Sequence, residues 1–234
     1  PIAVEIPAPL NYSRDRFNFS KSDFLFLLMF DGYSWLSRKN PLTSVQAFVK
    51  AFPFNTSGVG LVIKAMNVNN TDPQWQAILS LIANDPRVII INEKIPRQGL
   101  IDLMACCDAY ISLHRSEGFG RVIAEAMLLG KPTIATNFSG NVDFCNSSTS
   151  YLVDGDLVPL QREDYLFYEG QYWCDPDVNL ASEKMLQLFE DKLGREIIAL
   201  AGQRYIQEHH SINAVARAYA IRLDQIKNKL ERTT

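Results

Sequence analysis

Short apolar runs, none long enough to be a helix of its own, recur along the first two thirds of the chain. They are Phe24–Phe30, Val59–Ile63, Val88–Ile91, Ala109–Leu113, Thr133–Ala135 and Tyr151–Val153. Runs that are apolar throughout describe strands buried on both faces. Between them lie segments with helical spacing, Pro41–Ala51, Gln74–Ala83, Gln98–Cys106 and Phe119–Leu129, the last stopped by Gly130-Lys131-Pro132. Strands that alternate with helices connect in parallel through right-handed crossovers. The expected fold class is therefore α/β, a Rossmann-like, doubly wound parallel sheet.

After Asp154 the pattern changes. The polar, aromatic-rich stretch "GDLVPLQREDYLFYEGQYWCDPD" reads as a loop, with its tyrosines and Trp173 as local packing, and no further strand signal follows. Helices are expected near Val178–Glu190, Gly194–His209 and Ile212–Leu230. The chain begins at Pro1 in a linker-like stretch, so residues 1–20 read as a linker from a missing N-terminal domain and residues 21–234 as one domain with a C-terminal helical extension.

With 234 residues, 47% of them hydrophobic, the chain can bury a large core. Its net charge of -3 gives no basic footprint for nucleic acid. The longest apolar run, "FLFLLMF", is too short to span a bilayer, and neither a transmembrane segment nor a signal peptide is evident. The cysteines Cys106, Cys107, Cys145 and Cys174 lack paired metal-ligand spacing, and the adjacent pair in a helix-like segment cannot easily bridge. A reducing, cytoplasmic setting is the expectation.

In an open α/β sheet, ligands bind beyond the carboxyl ends of the strands, which singles out Asp31–Asn40, Lys64–Asn67, Asn92–Pro96, His114–Gly120 and Thr136–Asn141. Glu117-Gly118-Phe119-Gly120 follows one strand and turns into a helix, leaving free amide N–H groups where the helix dipole favours an anion. Glu117 itself reads either as a carboxylate set against that dipole or as a ligand contact. Glu125 lies in a helix apolar on nearly every side, and a buried carboxylate needs partners. Either it is held in an ion pair, with Arg121 or a distant lysine, or it accepts from ligand hydroxyls such as those of a ribose. Arg38 and Lys39, at the exit of the first strand, are a solvated pair or a phosphate contact. Lys64 is a weaker candidate in the same topological position, and His114 reads as a residue that positions the loop.

These residues describe a site for a diphosphate carrying sugars, and here the sequence resembles the C-terminal, donor-binding domain of family 4 glycosyltransferases of the two-domain GT-B fold. The resemblance rests on two glutamates, Glu117 and Glu125, separated by seven residues around Gly118-Phe119-Gly120. It extends through "RKNPLTSVQAF" and "LMACCDAYISLHRSEGFGRVIAEAMLLGKPTIATNFSGNVDF". Within the family it is most similar to transferases that build bacterial surface polysaccharides, many of them mannosyltransferases.

The resemblance implies one half of a retaining hexosyltransferase, mannose-like favoured. Glu125 would bind the nucleotide ribose and Glu117 would lie against the donor sugar. Backbone at Gly118, Phe119 and Gly120 would meet sugar hydroxyls and diphosphate, with Lys39 on the leaving phosphates. It implies a GDP- or UDP-linked donor, no bound cofactor or metal, and a glycan or lipid-linked acceptor held by the missing N-terminal domain. The setting would be cytoplasmic, with peripheral association at the inner face of the membrane. Many members carry Gly-Arg a few residues before the lysine, whereas this chain has Ser34 five positions before Lys39 and Arg38 directly before it, so the source of the second positive charge is open. A GT-B-like epimerase or phosphorylase and a non-catalytic nucleotide-binding module are the competing readings.

Overall fold

A computed structural model of the chain describes residues 1–231, so the last three residues of the expected 21–234 domain lie outside the described residues. Six parallel strands form one sheet: β1 (Phe24–Asp31), β2 (Val59–Met66), β3 (Val88–Ile91), β4 (Ala109–Ser112), β5 (Thr133–Thr136) and β6 (Tyr151–Val153). Their spatial order is β3-β2-β1-β4-β5-β6, a doubly wound sheet whose winding reverses between β1 and β4. β1 pairs along its whole length with β2, from Phe24 beside Val59 to Asp31 beside Met66, and its other edge pairs Phe26–Leu28 with Ala109–Ile111 of β4.

Because side chains alternate across a strand, β1 feeds two cores. Phe26, Leu28 and Phe30 pack with Val45 and Phe48 of α2 (Pro41–Ala51), with Ile78 of α3 (Pro73–Leu81) and with Met185 of α6 (Val178–Glu190). Leu25 and Leu27 face the opposite layer, made of α4 (Arg97–Cys106), α5 (Arg121–Leu128) and Ile206 of α7 (Lys192–His210). Burial on both faces is why these runs carry no polar alternation. A final helix, α8 (Ile212–Glu231), buries only Val215 among its described residues.

Two sequence expectations are corrected. The stretch after Asp154 is not a strandless loop: β7 (Gly155–Pro159) and β8 (Tyr172–Pro176) pair antiparallel as a separate hairpin. Exposed, non-alternating residues in β7 hid its strand character, and the buried Trp173 and Cys174 of β8 belong to neither of the two cores. The helix expected from Phe119 begins only at Arg121, because Gly120 takes the left-handed conformation at φ 86° and breaks the helical path.

The first twenty residues are fastened to this domain rather than trailing from it. Val4 and Phe19 are buried beside α4 and α5. Arg14 pairs with Asp108 at 2.6 Å and donates to the Cys106 carbonyl, while Arg16 pairs with Asp102 at 2.7 Å. The four cysteines are free and buried, and burial pushes the Cys145 thiol up to about 12. No helix among the described residues is long and apolar enough to cross a membrane.

Candidate functional site

The switch point between β1 and β4 sets the site. Beyond β1, a single turn of helix, α1 (Leu36–Lys39), presents Arg38 and Lys39; it ends at Asn40, left-handed at φ 48°, and Pro41 at once starts α2. Asparagine tolerates that conformation and proline suits the first helical position, so "RKNP" is a built corner that holds both cations in place. Beyond β4, the chain passes through His114 and Arg115 into Ser116-Glu117-Gly118-Phe119-Gly120. Gly120 offers no side-chain cap, which leaves the first amides of α5 open.

Across this boundary the Lys39 ammonium pairs with Glu117 Oε1, and Arg38 Nη1 lies 3.5 Å from Glu117 Oε2. Arg38 also donates to the Ser116 carbonyl at 2.8 Å, so it holds the loop as well as the charge. Burial alone would raise the Glu117 pKa, but Lys39, by charge and hydrogen bond, together with Arg38, keeps it below its ordinary value. The result is an ionised carboxylate flanked by two cations at a helix N-terminus.

The loop is clamped from behind by Ser139, Gly140 and Asn141. Ser139, strained at φ 73° and ψ -154°, accepts the Glu117 amide on its hydroxyl at 2.8 Å, and the Gly140 amide donates to the Glu117 carbonyl at 2.9 Å. Asn141 Oδ1 meets His114 Nε2 at 2.9 Å, and Ser112 Oγ lies 3.0 Å from His114 Nδ1. Both imidazole nitrogens are thus occupied in a fully buried ring, and burial lowers its pKa. A base whose folded pKa lies below its unfolded value of about 6.5 resists the proton that the unfolded chain accepts, so its contribution to stability is complete above that pH and lost as the pH falls below it. We expect the melting temperature to fall between about pH 7 and about pH 5, and His114→Gln to flatten that slope in a thermal-melt series. An unchanged slope would assign the pH dependence to other groups.

Glu125 is buried in α5, and its partner is neither Arg121 nor a lysine. Arg97, the first residue of α4, donates Nη1 to Oε2 at 2.9 Å and Nη2 to Oε1 at 2.7 Å. Nothing in the sequence links these residues, which lie 28 apart on different crossover units. Lys64 is also set apart: its ammonium donates to the carbonyls of Ala65 and Glu93, both at 2.6 Å, so it braces the loop after β3 and is not held out toward a phosphate. Burial lowers its pKa, against the opposing pull of Glu93 and Asp31.

The ion pair of Lys39 and Glu117 stands between two cavities. A cleft of about 700 Å³ lies between the Glu117–Arg121 loop and the inner side of the β7–β8 hairpin, where Tyr165, Phe167 and Trp173 form the wall. The hairpin is tied down by Arg115, which stacks 5.2 Å from the Trp173 ring and pairs with Asp175 at 2.7 Å, and by Tyr165 against Trp35. Trp173 and Tyr165 thus each make a packing contact and also form part of the cleft wall. A second, mostly apolar pocket of about 250 Å³ lies between Met29, Met66, Ile95, Leu100 and Val122, with Lys39 and Lys64 as its cations. Among the described residues no group of His, Cys, Asp and Glu side chains is arranged to hold a metal ion.

Residues 36–163, more than half the chain, match the family described as glycosyl transferases group 1, and this span holds Arg38, Lys39, Glu117 and Glu125 together. The chain belongs to that family. As a group 1 glycosyltransferase domain it is an enzyme domain, and its fold matches one half of GT-B enzymes. A glycosyltransferase from Rickettsia africae has the same fold with a TM-score of 0.68 and 19% identity, over 91% of this chain and 50% of its own. HepE of Anabaena, solved with UDP and glucose, gives a TM-score of 0.64 at 18% identity over 87% of this chain and 49% of its own. The C-terminal domain of LpcC from Francisella tularensis, a group 1 family protein, gives 0.61 at 14% identity, over 85% of this chain and 91% of that domain. The glycosyltransferase domain thus spans about half the length of the first two. No curated protein sequence matches it significantly.

Proposed function

We propose that the chain is the donor-binding half of a retaining glycosyltransferase that moves a hexose, mannose-like favoured, from a GDP- or UDP-linked donor to a glycan or lipid-linked acceptor. The observation that carries this reading is the meeting of Lys39 and Arg38 with Glu117 at the open N-terminus of α5, across the point where the sheet reverses. Lys39 and the α5 amides receive the diphosphate, and their charge gains strength as the leaving phosphate becomes more negative, which is how such a site accelerates departure. Glu117 faces the donor sugar with the backbone of Gly118, Phe119 and Gly120. The 250 Å³ pocket receives the nucleoside, with Ile95 of the Asn92–Pro96 loop at its wall and Glu125 of the next helical turn after Val122 at the ribose.

HepE has been solved with UDP-glucose, which supports a nucleotide-sugar donor for a domain of this fold. No cofactor or metal is needed in this scheme, since the positive charge comes from side chains and amides. The acceptor is held by a partner domain, and the reaction takes place in the cytoplasm at the inner face of the membrane. Calorimetric titration with UDP, GDP and ADP and their sugar conjugates, without divalent metal, tests the reading. Selective binding lost in Glu125→Ala supports it; absence of binding to a folded protein joined to its partner domain rejects it in favour of a module that has kept the fold without the ligand.

A further inference from the structure

The carboxylate assigned to the ribose already has a partner on each oxygen. Arg97 spans both Glu125 oxygens in a fork, at 2.9 and 2.7 Å, and so takes one lone pair on each, the two that a vicinal diol would use if it bound in the same fork. Exposure shows which partner can move. The Glu125 side chain is 2% exposed, whereas that of Arg97 is 51% exposed, so the guanidinium lies between the carboxylate and solvent. Neither residue lines the 250 Å³ pocket itself, but each adjoins a residue that does: Ile95, two residues before Arg97, and Val122, one helical turn before Glu125.

We propose that Arg97 is a displaceable cover on Glu125, a positioning residue that holds the carboxylate in place and yields it to the ribose when a nucleotide enters. This inference rests on the nucleotide reading above. Both hydrogen bonds are exchanged for two others, from the ribose hydroxyls, and the freed guanidinium gains full hydration, so the exchange needs no other rearrangement of the helix. It also gives the site a selectivity. A ligand with two adjacent hydroxyls can replace the fork, whereas one that lacks the 2′-hydroxyl can replace only half of it and leaves an acceptor unpaired.

The test compares UDP and 2′-deoxy-UDP, together with GDP, on the wild-type chain, Arg97→Ala and Arg97→Lys, with melting curves as a control for folding. A cover that must be broken predicts that Arg97→Ala binds UDP or GDP about fivefold tighter than wild type, as expected for removal of a partly exposed ion pair, with Arg97→Lys between them. Uridine, which carries no phosphate, should bind wild type more tightly as salt rises and Arg97→Ala indifferently, because salt weakens only the pair being broken. Weaker or equal binding by Arg97→Ala overturns the proposal and makes Arg97 a fixed support or a ligand contact. If Arg97→Ala fails to melt cooperatively, the salt response of uridine with wild type and the affinity of Arg97→Lys decide it in the same directions. If no nucleotide binds any folded form, the nucleotide reading fails and this inference with it, a result distinct from binding that ignores Arg97.

Discussion

Lys39→Ala is expected to weaken binding of a nucleoside diphosphate by about 100-fold, the equivalent of about 3 kcal/mol. Two losses combine. The ligand loses a cation at the switch point, and Glu117, whose side chain is 12% exposed, loses its nearest counter-charge. Arg38 stays at 3.5 Å from the other carboxylate oxygen and is itself tied to the Ser116 carbonyl, so it compensates only in part. The carboxylate left behind then repels the incoming diphosphate. Adding Glu117→Gln to Lys39→Ala should therefore recover about tenfold in affinity, a coupling that a double-mutant cycle reads directly. If the double variant binds no better than the single one, the penalty lies in lost contact alone. Unchanged affinity in Lys39→Ala would remove this lysine from the site.

Gly140→Ala should disable the site with less effect on the fold. A methyl group at this position would stand 2.1 Å from the Gly118 carbonyl oxygen and 2.9 Å from the Phe119 nitrogen, and both are backbone atoms that no rotamer change can move. The segment that must give way is the Glu117–Gly120 loop. Overpacking of this kind costs about 1–3 kcal/mol in stability, whereas a shift of about 1 Å in a site that works by orientation costs about 100-fold in rate. The expected pattern is a folded protein with a modestly lower melting temperature and nucleotide binding reduced by more than tenfold, beyond what the change in stability explains. A variant that melts like wild type and binds like wild type would mean that the loop has room to move.

Much of the sheet was legible in the sequence because β1 to β6 are buried on both faces and so read as unbroken apolar runs. The hairpin β7–β8 was not, since exposed strands such as Gly155–Pro159 carry neither the apolar run nor the alternation that marks a strand packed on a core. At the site, Arg38, Lys39 and Glu117 could be placed together because each follows a strand and the order of windings brings those strands side by side. The partner of Glu125 escaped because the demand for a counter-charge was readable from an apolar helix, but its source was not: Arg97 meets it only through the packing of α4 against α5. The role of Ser139 and Gly140 was hidden for a similar reason, as a serine with positive φ and a glycine crowded by backbone leave no local signature apart from small size.

Lys39 and Glu117 stand 78 residues apart, one on each side of the reversal in the sheet. Neither winding of the sheet contains a complete site, so the pocket exists only when β1 has acquired both of its neighbours. A molecule that spans the two is bound by the finished fold and by nothing that precedes it, and by mass action its presence adds to the stability of that fold, by about 2.7 kcal/mol at 100 times its dissociation constant. On the proposed reading, the supply of donor is in this sense also a condition on what fraction of the domain is folded.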